Sequence, residues 1–186
     1  MLLNVCCKTA FCIISRFDTA HCRLSAVELL AVFVMCEQRR GLLSPWHVYI
    51  DTLPNHYDIP LFWTQAALSQ LPHDVLREVI QQTSAVADSF SRHHKLLSAL
   101  QVENSDLFVS EFKLTEYQMA WAAVNTRCVH MAGNQCCEPA AASTSEDNIA
   151  LVPFLDLFNH SPHIQVRLLL SFHNSNPFIV TFWCQT

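Results

Sequence analysis

Apolar residues recur at helical spacing over three stretches of this chain. Leu24, Val27, Leu30, Ala31, Val34 and Met35 form the first stripe, and steps of three and four put them on one face of a helix over residues 24–40. Ser25 followed three residues later by Glu28 is the capping-box pattern, Arg39 and Arg40 suit the C-terminal end, and Gly41 stops the helix. The second stripe is Val75, Val79, Val86, Phe90, Leu97 and Leu100, with Thr83 and His94 filling in. It predicts one long helix over 74–101, with Asp74 as cap or first-turn acid. The third stripe is Leu114, Tyr117, Trp121, Val124, Cys128 and Met131. It predicts a helix over 114–131 capped by Thr115. Arg127 falls just off that stripe, at the boundary between core and groove.

The stretches between have other patterns. Residues 41–63 combine Pro45, Pro54 and Pro60 with Trp46, Tyr49, Tyr57, Phe62 and Trp63. That composition predicts an irregular packed connector whose aromatics belong to the core. Thr64 to Gln70 reads as a short helix ended by Leu71-Pro72. His93 and His94, beside Arg92 and Lys95, read as a solvated face. Residues 102–112 read as an acidic loop or short helix, and 133–148 as a flexible surface loop. Ile164 to Leu170 and Phe178 to Trp183 are β-prone runs joined by Asn174-Ser175-Asn176-Pro177, a hairpin signal. The pattern predicts an α+β chain, mostly helical with a small β remnant.

Composition narrows the partners. Half the residues are hydrophobic (51%) and only 15% are charged, so a packed core is expected, with some apolar surface left for a partner segment. Net charge is −5 without a basic run, which argues against direct nucleic-acid binding. The apolar run from Leu24 to Cys36 is too short to span a bilayer and contains Glu28, so no membrane partner is expected. Nine cysteines form no C-x-x-C pair, which disfavours structural zinc and points to a reducing compartment. Cys36 and Cys128 fall on apolar stripes and read as buried thiols. The only glycines are Gly41 and Gly133, so no glycine-rich phosphate loop is possible.

The chemistry concentrates between Ile149 and Pro162, I-A-L-V-P-F-L-D-L-F-N-H-S-P. An apolar run leads into Asp156, Asn159 and His160, spaced so that one helical turn puts them on one side, and Pro162 stops a helix from growing. On its residues alone this is either a short buried turn carrying a ligand shelf or an Asx-type turn with a satisfied core histidine. His163 adds a second imidazole, but two ligands are too few for a metal site. The pattern L-x-P-x-x-D-x-x-N-H-S, from Leu151 to Ser161, resembles a SET domain. More narrowly, it resembles the subgroup with a helical insert, the Rubisco large-subunit methyltransferase and its animal relatives. W-A-A-V-N-T-R, Trp121 to Arg127, resembles that subgroup's insert helix. S-P-W-H-V-Y-I-D-T-L-P, Ser44 to Pro54, resembles its S-x-W-x-x-Y-x-x-x-L-P segment.

The resemblance runs from about residue 24 to about residue 167. It implies a partial SET domain: an unmatched start over 1–23, a largely helical insert region over 24–132, the loop 133–148, the core motif 149–167 and a divergent tail over 168–186. It implies protein-lysine N-methyl transfer from S-adenosyl-L-methionine to a histone or another lysine-bearing protein, in nucleus and cytosol; a related subgroup methylates histidine. Arg127, Asn159 and His160 match cofactor-binding positions, and Asp156 matches a position on the substrate side. The family's G-x-G cofactor loop has no counterpart here. Its catalytic tyrosine has none either, because Tyr49, Tyr57 and Tyr117 all precede Asn159. The expectation is therefore a chain truncated at both ends with no catalytic residue of its own. A non-catalytic helical protein-interaction fragment is the alternative.

Overall fold

The computed structural model describes residues 24–103, 110–130, 149–153, 155–157, 165–173 and 176–185. Helix α1, Ala26–Arg40, runs through the centre. Its residues from Leu30 to Glu37 are all buried. The capping box expected at its start is present: Ser25 Oγ accepts from the Glu28 N–H at 3.3 Å, and Glu28 Oε2 accepts from the Ser25 N–H at 2.8 Å. Gly41 ends the helix at φ +52°, a conformation that side chains disfavour. Buried Glu37 is bonded by Ser44 and paired with Arg40 at 3.0 Å, which satisfies its charge inside the core.

The connector is packed as its aromatics foretold. Trp46, Tyr49, Leu53 and Tyr57 are buried, and Trp46 meets Phe33 of α1 edge-on. It carries a short helix, α2, His47–Ile50, and is followed by another, α3, Gln65–Leu68, capped by Thr64. Helix α4, His73–Glu103, is the long helix of the second stripe, with Asp74 in its first turn. One detail differs from the sequence reading. His93 is buried (4% exposed), while His94 is half exposed, stacks edge-on against Phe90 and lies 3.2 Å from Glu111. The inward face runs Val79, Val86, Phe90, His93, Leu97, so the steps of three and four pass through His93. Val75, expected in the stripe, is exposed.

Helix α5, Leu114–Arg127, packs along α1. Ala120, Ala122, Ala123 and Val124 are fully buried on it, and small side chains there let the two backbones approach closely. Its cap position is Lys113 rather than the expected Thr115. Glu116 reaches back to accept from the Lys113 N–H at 2.8 Å, and the same carboxylate pairs with Arg39 at 2.6 Å. Arg39 is fixed further by the carbonyls of Ser110 and Glu111 and lies over the Phe112 ring.

The third stripe predicted helix to Met131. The helix instead ends at Arg127, and Cys128 turns extended. Cys128–His130 forms β1, paired antiparallel with β2, Ile149–Leu151: Cys128 opposes Leu151 and His130 opposes Ile149. Buried Ala150, Leu151 and Val152 anchor β2 in the core. A second two-stranded sheet joins β3, Gln165–His173, to β4, Asn176–Gln185, with a register irregularity between Leu170 and Phe172. The expected hairpin is thus present. The α+β, mostly helical class holds. The unmatched start 1–23, the loop 133–148, and Asn159, His160, Pro162 and His163 lie outside the described residues, as does the Leu100 side chain.

Candidate functional site

Strand pairing builds the site. Because Cys128 lies opposite Leu151, the last residue of α5 and the residues just past β2 are brought to the same end of the ladder. Past β2 the chain makes a 3-10 turn, Leu155–Leu157, started by the Asp156 N–H donating to the Val152 carbonyl at 3.4 Å. Arg127 and Asp156 meet there. Arg127 Nη1 donates to the Asp156 backbone carbonyl at 3.3 Å and stands 3.6 Å from its Oδ2. The second contact is an ion pair, the first a hydrogen bond.

Asp156 is held from a second side. The Tyr49 hydroxyl, on α2, donates to Oδ2 at 3.1 Å across 107 positions of sequence. The Asp156 side chain is 2% exposed and that of Arg127 23%. A buried carboxylate needs compensation, and here a guanidinium and a phenol supply it. Burial, then the charge and hydrogen bond of Asp156, push the Tyr49 phenol well above its ordinary range. It therefore stays protonated and remains a donor. Burial also raises Tyr57, and the Arg127 charge opposes that rise, so Tyr57 lies within electrostatic reach of the guanidinium. Among the described residues, two buried polar atoms at this locus have no partner: Asp156 Oδ1 and the Tyr57 hydroxyl.

The structure thus joins two of the four residues singled out in the sequence, Arg127 and Asp156. Asn159 and His160, three and four positions further on, lie outside the described residues. Tyr49 and Tyr57 were read as core aromatics. Both are buried, and the Tyr49 hydroxyl reaches into the site. The available signal was residue choice: the chain uses 12 phenylalanines and only 3 tyrosines, and a hydroxyl kept on a buried ring calls for a partner.

A second polar cluster lies between α1, α4 and α5. Glu28 Oε1 accepts from Ser89 at 2.6 Å and Arg92 at 3.0 Å and stands 3.4 Å from His93 Nε2, while Ser89 bonds the Tyr117 hydroxyl at 2.8 Å. It ties the three helices together.

No protein-family model matches the chain. Over 144 residues it is 33% identical to SET domain-containing protein 4 of Mus musculus, covering 77% of this chain and 32% of that protein. The chain belongs to the SET-domain family. It is also 28% identical over 125 residues to the [fructose-bisphosphate aldolase]-lysine N-methyltransferase, chloroplastic, of Arabidopsis thaliana, covering 67% of this chain and 23% of that one. A crystal structure of the SET domain of LSMT bound to lysine and AdoHcy superposes with a TM-score of 0.65 at 19% identity, over 89% of this chain and 33% of that one. The SET fold therefore extends over most of the present chain, which spans about a third of the mouse relative's length.

Proposed function

We propose that this chain is part of an S-adenosyl-L-methionine-dependent protein-lysine N-methyltransferase acting on a histone or another protein, in nucleus and cytosol. The observation that carries the reading is the contact of Arg127 with Asp156, which ties the end of α5 to the SET motif. The donor set fits an amino-acid carboxylate. A guanidinium has two bidentate edges, and only Nη1 is engaged among the described residues, which leaves the Nε–Nη2 edge. Arg127 would hold the cofactor's carboxylate, Asn159 and His160 its adenine end, with Asp156 at the border to the substrate. When bound, S-adenosyl-L-methionine supplies a methyl group already activated on sulfonium. The protein's share is alignment and desolvation of the acceptor amine, whose pKa of roughly 10.4 in water must fall before its lone pair can attack.

Equilibrium dialysis with methyl-labelled S-adenosyl-L-methionine tests the cofactor half of this reading. Saturable retention by the chain is the expected result, and absence of retention would overturn it.

A second reading, a helical docking module, is favoured by exposed Leu42, Leu43 and Val48 past the end of α1. It predicts no cofactor retention.

A further inference from the structure

The Arg127 guanidinium is not free to choose its orientation. Asp156 holds its Nη1 from one side, by the backbone carbonyl at 3.3 Å and the carboxylate at 3.6 Å. That carboxylate is itself held by Tyr49 at 3.1 Å. Tyr49 is 7% exposed and packs in the central core with Trp46 and Ile50, so its hydroxyl is a fixed point. The order of constraint runs from a buried ring to a buried carboxylate to a partly exposed cation.

We infer that Tyr49, acting through Asp156, is a positioning residue that presents the outer Nε–Nη2 edge of Arg127 to the carboxylate of the bound cofactor. This rests on the methyltransferase reading above. Without the tyrosine hydroxyl, Oδ2 loses its one hydrogen-bond donor described here, while Oδ1 already lacks a partner. The buried carboxylate then has stronger reason to draw Arg127 inward and engage more of its N–H groups. That change would spend the edge that a ligand carboxylate needs, without disturbing packing of the ring. Tyr57 is not given this role, because its hydroxyl bonds neither Asp156 nor Arg127 among the described residues.

The test is calorimetric titration of the full chain, unmodified and as Tyr49→Phe, with S-adenosyl-L-methionine and with its decarboxylated analogue. Phenylalanine keeps the ring, and a melting curve of each protein establishes that both are folded. The unmodified chain should prefer the carboxylate-bearing cofactor. Tyr49→Phe should bind that cofactor about tenfold more weakly, the scale of a hydrogen bond to a charged group, and bind the decarboxylated analogue unchanged, so that the preference shrinks. Asp156→Asn, which keeps the side-chain size, should shrink the preference likewise. If Tyr49→Phe leaves the preference intact, or weakens both ligands alike, the positioning role is overturned while the methyltransferase reading stands. No binding by the unmodified chain overturns both.

Discussion

Two side chains packed by α1 carry expected outcomes of their own. Burial alone would raise the Glu28 carboxyl, but hydrogen bonds from Ser89 and from the Ser25 N–H, with the charge of His93, bring it down to about 2 from 4.5. A carboxyl lowered in the folded state stabilises the fold fully above its unfolded value and less as pH falls through the folded one. Glu28 therefore contributes fully above about pH 4.5, and the contribution is lost as pH falls toward 2. Denaturant titrations across that window should show a steeper acid loss for the unmodified chain than for Glu28→Gln; parallel curves would show that the carboxylate is not held as described. Cys36 is a second case. Burial, and then the neighbouring Glu37 charge, push its thiol up to about 12. Thiolate is the reactive form, so iodoacetamide at neutral pH should leave the Cys36 peptide unmodified until denaturant is added, as mass spectrometry would record.

At the scale of elements, the ends of α1 are the sharpest test. Ser25→Ala removes the cap and should lower unfolding free energy by about 1 kcal/mol. A Cβ at Gly41 would meet no atom within 4 Å, so the cost of Gly41→Ala is backbone strain at φ +52°, about 1–3 kcal/mol. Both are read from denaturant midpoints, and an unchanged midpoint would contradict the cap geometry. These ends were legible because capping chemistry is local. The short helix after Thr64, the stripes of α1 and α5 and the β3–β4 hairpin were legible for the same reason. The β1–β2 pair was not. Its strands have three residues each, too few for alternation to show, and the pairing joins positions on either side of residues 131–148. Cys128 also continued the helical stripe of α5, so period alone favoured helix where pairing with Leu151 gave strand. His93 was misplaced because adjacent histidines leave the phase of a stripe open by one residue; Glu28 of another element, 3.4 Å away, fixes it.

Across the whole molecule, the same missed pairing is what assembles the site. Arg127 and Asp156 could be named separately from the sequence, but their contact spans 29 positions and depends on β1 lying beside β2. The tyrosine behind them lies 107 positions from Asp156, beyond any local pattern. In the proposed reading, this convergence presents a guanidinium to a cofactor carboxylate. Calorimetric titration of S-adenosyl-L-methionine into Arg127→Ala, alongside Arg77→Ala on an exposed face of α4, tests it most directly. Saturable heat for the unmodified chain and Arg77→Ala, lost in Arg127→Ala, is the result expected. Equal binding by both variants would contradict the account.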